Sequence, residues 1–167
     1  NVFEGTFLTN DSTNEAFFKE HAHKYGVIHL AMHGILHPRV PMLSSLAFTE
    51  NKDSLEDNFL QAHEISHLHL NADLVVLSAC ETGLGNIEGT EGVYGLQRAF
   101  KMAGAKYLLM SLWKVNDVDA YEFMIRFYTE WQENKMTIPQ AYQAAQNFMQ
   151  LQQPNNPRSW AGFILLE

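Results

Sequence analysis

The most constraining feature of this sequence is a continuous apolar run, Leu74-Val75-Val76-Leu77, inside the segment Ala72–Ala79. Strands with one solvated face alternate apolar and polar residues, whereas strands buried on both faces contain unbroken runs of Val, Ile and Leu. The run has the length of a strand, and the segment is followed by Cys80, the single cysteine of the chain. It therefore predicts a central strand of a mainly parallel sheet that helices cover on both sides.

Segments of strand and helix length alternate along the rest of the chain. Strands are predicted at Val27–Met32, Ala72–Ala79, Tyr107–Leu112 and Ala161–Leu166, and helices at Asn14–Tyr25, Gly89–Ala103, Val118–Gln132 and Pro139–Leu151. Asp11, Ser12 or Thr13 is the expected cap of the first helix, and Gly104 is the expected end of the second. This alternation predicts a single α/β domain over residues 1–167.

Composition and charge exclude several classes of function. The 11 Lys and Arg residues against 19 Asp and Glu residues give a net charge of −8, and no basic run is present, so we expect no direct binding to nucleic acid or to anionic membranes. No apolar stretch is long enough to span a bilayer. A single cysteine excludes an intramolecular disulfide and favours a reducing, cytoplasmic location. The chain starts at Asn1 rather than Met, so we expect it to be part of a longer protein.

His33 and Cys80 form a candidate catalytic pair. Each residue closely follows an apolar strand-length run, and the carboxyl ends of parallel strands are where open α/β sheets place their chemistry. A thiol needs a base or a positive neighbour to become a thiolate, and imidazole is the usual partner. A lone cysteine is more often a small buried apolar residue, which is the alternative here. His37, in the following loop, is the reserve base.

Two other motifs have weaker support. The segment His63-Glu64-Ile65-Ser66-His67 matches the zincin pattern, but the next predicted strand starts five residues later and leaves little room for the long helix of a zincin. We therefore expect a short polar helix or turn and no bound metal there. Gly83-Leu84-Gly85 suggests a phosphate loop, but Glu88 stands where the third glycine would be needed, and a loop at the sheet edge is preferred.

Several blocks of the sequence closely resemble those of CHAT domains, which are caspase-like domains commonly joined to tetratricopeptide repeats, mostly in bacteria. The two blocks that resemble the catalytic ones are Ile28-His29-Leu30-Ala31-Met32-His33-Gly34 and Ala72-Asp73-Leu74-Val75-Val76-Leu77-Ser78-Ala79-Cys80-Glu81-Thr82-Gly83. Further similar blocks follow in order, including Thr90–Phe100, Ser111–Asp117 and Trp160–Phe163. The resemblance therefore covers nearly the whole chain.

The resemblance implies a caspase-like three-layer sandwich and a cysteine endopeptidase without a cofactor. In that reading Cys80 is the nucleophile, His33 is the second member of the dyad, and the backbone N–H groups of Gly34 and Cys80 stabilise the oxyanion. CHAT domains usually extend well upstream of the first block, so the chain resembles the catalytic C-terminal portion, and we expect weak activity from it alone. A non-catalytic regulatory module of the same fold is the main alternative, and a zinc hydrolase is a weaker one.

Three further residues are candidates for substrate recognition. Ser78 stands two positions before Cys80, where caspases carry a glutamine that helps to bind an acidic side chain, so selectivity for Asp is not expected. Asp117 and Asp119 follow the predicted strand Tyr107–Leu112 and could pair with Lys or Arg of a peptide substrate. The alternative for Asp117 is that it caps the next helix.

Overall fold

The computed structural model describes residues 5–50, 56–78 and 90–167. Seven strands and five α-helices lie within these ranges. The strands are β1 (Val27–Leu30), β2 (Gly34–Ile35), β3 (Ser45–Ala47), β4 (Phe59–Gln61), β5 (Leu74–Leu77), β6 (Tyr107–Ser111) and β7 (Phe163–Leu166). The helices are α1 (Glu15–His21), α2 (Ala62–Ile65), α3 (Thr90–Ala103), α4 (Asp117–Tyr128) and α5 (Ile138–Gln152).

The main sheet has four strands in the order β1-β5-β6-β7. β1 pairs with β5 in parallel, with Val27 opposite Leu74, and β5 pairs with β6 in parallel, with Leu74 opposite Tyr107. β7 is antiparallel to β6. The prediction of a mainly parallel sheet with the apolar run as an inner strand is thus confirmed, and all four residues of β5 are buried.

The sheet separates two apolar cores. One core lies between the sheet and helices α1, α2 and α3, and it includes Val75 and Leu77 of β5. The other lies between the sheet and helices α4 and α5, and it includes Leu74 and Val76 of β5. Alternate residues of one strand face opposite sides of a sheet, so an unbroken apolar strand is what two cores require. The layers form the expected α/β sandwich, compatible with a caspase-like fold.

A second, antiparallel sheet has the order β2-β3-β4. Its strands contain only two or three residues each, and such short strands show no readable alternation in the sequence. Gly34 pairs with Leu46, and Leu46 pairs with Leu60. The first strand of this small sheet, β2, begins at the residue after His33, so the sheet holds the chain that leaves His33.

The residues that cap two of the helices differ from the predicted ones. Asn14, not Asp11, Ser12 or Thr13, caps α1, because its side chain accepts a hydrogen bond from the backbone N–H of Phe17 (2.8 Å). Asn116, not Asp117, caps α4, and its side chain accepts from the N–H of Val118 (2.8 Å). Asn is as good a cap as Asp, so residue preference alone could not choose between neighbours.

Helix α3 approaches the turn at Pro41–Leu43 very closely through Gly95. A Cβ atom at Gly95 would lie 2.5 Å from the carbonyl carbon of Pro41. Gly104 ends α3 as predicted, with a φ of +110°. Within the described ranges, no helix combines the length and the apolar character needed to cross a membrane.

Candidate active site at the carboxyl edge of the sheet

The carboxyl ends of β1 and β5 lie side by side, because the two strands are adjacent and parallel. The chain continues from β1 through Ala31 and Met32 to His33. The backbone N–H of Ser78, directly after β5, donates to the carbonyl of Leu30 (3.2 Å) and extends the pairing by one step. Cys80 lies outside the described residues. The structure therefore confirms the strand arrangement that the dyad requires and leaves the position of the thiol as a prediction.

His33 is exposed, and its backbone is anchored by the small sheet. The N–H of Ala47 donates to the carbonyl of His33 (2.9 Å). An exposed imidazole at the edge of a sheet is accessible to a substrate, and the hydrogen-bonded backbone keeps its position fixed. This combination suits a residue that must transfer protons.

The N–H of Gly34 points away from β3. Opposite residues of an antiparallel pair alternate between hydrogen-bonded and non-hydrogen-bonded positions. Because Ala47 bonds to His33, the next pair, Gly34 with Leu46, is a non-hydrogen-bonded one, and its N–H groups face outward. The predicted oxyanion donor is therefore not used by the ladder with β3.

A groove of about 630 Å³ runs along the open edge of β1 as far as His33. Its wall includes seven consecutive residues, 27–33, together with residues of α1 and of the small sheet. β1 is the edge strand of the main sheet in the described part of the chain. Gly26 and Leu30 direct their carbonyls toward β5, so the alternating residues Val27 and His29 direct theirs into the groove.

His29 makes the most specific side-chain contacts at this edge. Its Nε2 atom lies 2.8 Å from the hydroxyl of Ser78, and its Nδ1 atom lies 2.9 Å from the hydroxyl of Tyr128. The ring also packs obliquely on Tyr128, with centroids 5.8 Å apart. Sequence reasoning assigned no role to His29 or Tyr128. A histidine inside an apolar strand was the available signal, since a polar group in such a place needs a partner.

Desolvation shifts the protonation of this cluster. Desolvation by the surrounding groups lowers the pKa of His29, even though the residue as a whole is exposed, so the neutral imidazole is favoured. Burial also raises the pKa of Tyr128, which keeps its hydroxyl protonated. A neutral imidazole between two hydroxyl groups can donate through one nitrogen and accept through the other.

The three predicted recognition residues differ in their surroundings. Ser78 is partly buried and contacts His29. Asp119 is partly buried, and its Oδ1 atom accepts a hydrogen bond from Gln153 (2.7 Å). Asp117 is exposed in the first turn of α4. Asp117 is thus the carboxylate that protrudes, and Asp119 connects α4 to the end of α5.

The histidine–glutamate segment has a local structural role. Helix α2 is a single turn, and Nδ1 of His67 lies 2.7 Å from the carbonyl of His63, as expected for a short helix or turn. Glu64 accepts from the N–H of Gln61 (2.9 Å) and from Nζ of Lys19 (2.7 Å). The carboxylate that a zincin would use to activate water is therefore bound to other groups.

Lys19 is surrounded by three carboxylates, from Glu15, Glu56 and Glu64, each 2.7 Å from its Nζ atom. Burial opposes the charge of Lys19, but its hydrogen bonds to the three carboxylates outweigh burial and raise its pKa. In the described part of the chain these three carboxylates have the spacing of a metal site, but the ammonium group of Lys19 lies at their centre. The cluster links α1 to α2 as a set of ion pairs.

Comparison with known proteins agrees with the fold. The family model for the CHAT domain matches residues 4–167. Tetratricopeptide repeat protein 28 of Mus musculus is 30% identical over 112 residues, which is 67% of this chain and 4% of the relative. Tetratricopeptide repeat protein 28 of Homo sapiens is 32% identical over 113 residues, with the same shares. The chain thus spans a small fraction of these relatives, and it belongs to the CHAT domain family.

Proposed function

We propose that this chain is the catalytic C-terminal portion of a cysteine endopeptidase with a dyad of His33 and Cys80. The observation that carries the proposal is the parallel pairing of β1 with β5, which brings His33 and the segment leading to Cys80 to one edge of the sheet. A chain of two residues spans at most about 7 Å, so Cys80 stays close to Ser78 wherever its side chain points.

The proposed reaction proceeds through a thioester. The thiolate of Cys80 attacks the peptide carbonyl, and the resulting oxyanion accepts hydrogen bonds from the N–H groups of Gly34 and Cys80. The C–N bond then breaks as His33 donates a proton to the leaving amine. His33 next removes a proton from water, whose hydroxide attacks the thioester and releases the acid and the thiol.

We also propose that a substrate Lys or Arg side chain is bound by Asp117. Asp117 is exposed and follows six residues after the end of β6, and the carboxyl end of β6 lies at the same edge as that of β5. The hydrogen bond between Asp119 and Gln153 makes Asp119 the less suitable of the two carboxylates.

The larger protein and its location are part of the same proposal. The relatives are named as tetratricopeptide repeat proteins, which supports a repeat region in the same full-length chain. The single cysteine supports a cytoplasmic location. The family resemblance favours a bacterial origin of this chain, whereas both relatives are mammalian.

Labelling of Cys80 by a thiol-directed peptide probe tests the dyad. We expect labelling faster than that of free cysteine at the same pH, and a loss of this advantage in His33→Ala. His23→Ala is the matched control, since His23 is exposed and does not line the groove beside β1. Labelling at the rate of free cysteine, with no effect of His33→Ala, would instead support a non-catalytic regulatory module of the same fold.

A further inference from the structure

We infer that His29 and Tyr128 are positioning residues, which hold Ser78 and thereby orient the segment that carries the nucleophile. The inference rests on the proposed cysteine chemistry. Its structural basis is the chain of hydrogen bonds from the Tyr128 hydroxyl through the His29 ring to the Ser78 hydroxyl, with separations of 2.9 and 2.8 Å.

The three residues come from three different elements. His29 belongs to β1, Ser78 follows β5, and Tyr128 is the last residue of α4. In the sequence, Ser78 lies 49 residues and Tyr128 lies 99 residues from His29. The imidazole therefore connects the edge strand, the strand before the nucleophile and the covering helix at one point. A contact of this kind fixes relative positions that no single element fixes alone.

Ser78 is held to β1 twice. Its backbone N–H donates to the carbonyl of Leu30, and its side chain contacts the ring of His29. The first contact fixes the position of the Ser78 backbone beside β1. The second restricts rotation of the chain at Ser78. Because Cys80 follows two residues later, a rotation at Ser78 redirects the bond that leads to the nucleophile.

His29 is poorly placed to be the base of the dyad. Both of its ring nitrogens contact hydroxyl groups, and the ring lies on the α4 side of the sheet. An imidazole whose nitrogens are both occupied is fixed in orientation, as required of a support rather than of a proton carrier. The role inferred for His29 is thus distinct from that of His33.

Removing single hydroxyl groups tests the inference. In Tyr128→Phe and in Ser78→Ala, we expect the rate constant for covalent labelling of Cys80 by the bound peptide probe to fall about tenfold or more, because small misplacements of reacting groups are costly. Probe binding before reaction should be unchanged in Tyr128→Phe. Ser78→Thr keeps a hydroxyl group and should recover most of the rate. The double variant should lose no more than the worse single variant, since one chain of contacts is broken in both.

Tyr142→Phe is the matched control. The hydroxyl of Tyr142 donates to the carbonyl of Phe163 (2.9 Å) in the same core, so this variant also loses one hydrogen bond of a partly buried tyrosine. It should lower the melting temperature and leave the labelling rate unchanged. Equal labelling losses in Tyr142→Phe and Tyr128→Phe, at equal losses in melting temperature, would overturn the inference.

Hydrogen exchange separates this inference from the proposed dyad. The peptide that contains residues 74–82 should exchange faster in Ser78→Ala and Tyr128→Phe than in the wild type, and not in Tyr142→Phe. If wild-type Cys80 labels no faster than free cysteine, the dyad fails. Unchanged exchange in the variants would overturn the positioning role whatever the labelling shows.

Discussion

Two of the glutamates around Lys19 have pKa values shifted in opposite directions, although both contact the same ammonium group. Glu15 is almost fully buried, with 1% of its side chain exposed, and burial raises its pKa despite the contact with Lys19. Burial opposes the charge of Glu64 as well, but the hydrogen bonds from Lys19 and from the N–H of Gln61 outweigh it and lower its pKa. The two glutamates therefore affect stability in opposite directions as pH changes.

Glu64→Gln should destabilise the protein near neutral pH by about 1 kcal/mol, the scale of a charge-assisted hydrogen bond in a partly exposed ion pair. A lowered pKa means that the stabilisation is present above the ordinary value of 4.5 and is lost as pH falls through the folded-state value. When the free energy of unfolding is measured with urea between pH 3 and 7, it should fall less steeply toward low pH in this variant than in the wild type.

Glu15→Gln is the matched control for that experiment. A raised pKa means that the folded state favours the protonated carboxyl group, so the contribution of Glu15 declines as pH rises from 4.5 through the folded-state value. Glutamine imitates the protonated form. The loss of stability at pH 7 should therefore be smaller for Glu15→Gln than for Glu64→Gln, and equal losses would contradict the assignment.

Substrate preference can be tested at Asp117. In Asp117→Asn we expect kcat/KM for peptides with Lys or Arg before the scissile bond to fall about tenfold, and the preference of the wild type should weaken with added salt. Asp119→Asn is the control, because Asn can still accept the hydrogen bond from Gln153. A peptide library profile that is apolar and unchanged in both variants would remove Asp117 from the substrate pocket.

At the scale of elements, the contact between α3 and the turn at Pro41–Leu43 depends on the absence of a side chain at Gly95. An alanine in a helix normally stabilises it by up to about 1 kcal/mol relative to glycine. Here the new Cβ would lie 2.9 Å from the Cβ of Pro41 and closer still to its backbone carbonyl. Relief requires a backbone shift, because carbonyl atoms cannot rotate away as a flexible side chain does.

Gly95→Ala should therefore lower the free energy of unfolding by about 1–3 kcal/mol, the usual cost of overpacking. Gly26→Ala is a suitable control, since its Cβ would meet only an oxygen of Asp73, at 3.8 Å. Its effect should stay within about 0.5 kcal/mol. Urea denaturation of both variants measures the difference, and a stabilised Gly95→Ala protein would show that the two elements separate easily.

The long elements could be predicted from sequence because their signals are local. β5 is an unbroken apolar run, and α5 begins one residue before Pro139, behind a capping pair formed by Thr137 and Gln140. The strands of the small sheet could not be predicted, because two or three residues carry no period. The cap of α4 is predicted one residue too late for a similar reason, because Asn116 and Asp117 are equally good caps and only the path of the folded chain favours Asn116.

The candidate site was predictable only in part. Adjacent parallel strands place His33 and the chain toward Cys80 at one edge, and the position of each strand follows from composition. The partners of His29 could not be found in this way, since Ser78 and Tyr128 are far from it in sequence and meet it only when β1, β5 and α4 assemble. Contacts between elements depend on packing angles that no local pattern specifies.

At the scale of the whole molecule, the open edge of β1 bears on activity. The groove beside it leads to His33, and its wall contains β1, which has no neighbouring strand on this side among the described residues. We expect the 167-residue chain alone to hydrolyse peptides weakly, and a longer protein that covers this edge to show at least about tenfold higher kcat/KM. Steady-state assays of both proteins measure the ratio. Equal, robust turnover by the shorter chain would contradict the expectation.

The pairing of Val27 with Leu74 also has a consequence for the order of events during synthesis. The two residues are 74 − 27 = 47 positions apart. A ribosome that adds about 5–20 residues per second needs roughly 2–9 s to pass from one to the other. During that interval β1 has emerged without the strand that covers its inner edge, and the closure of so long a loop is itself slow relative to local helix formation. We therefore expect this chain to expose an apolar strand for seconds during synthesis, long enough for chaperones to bind before β5 emerges.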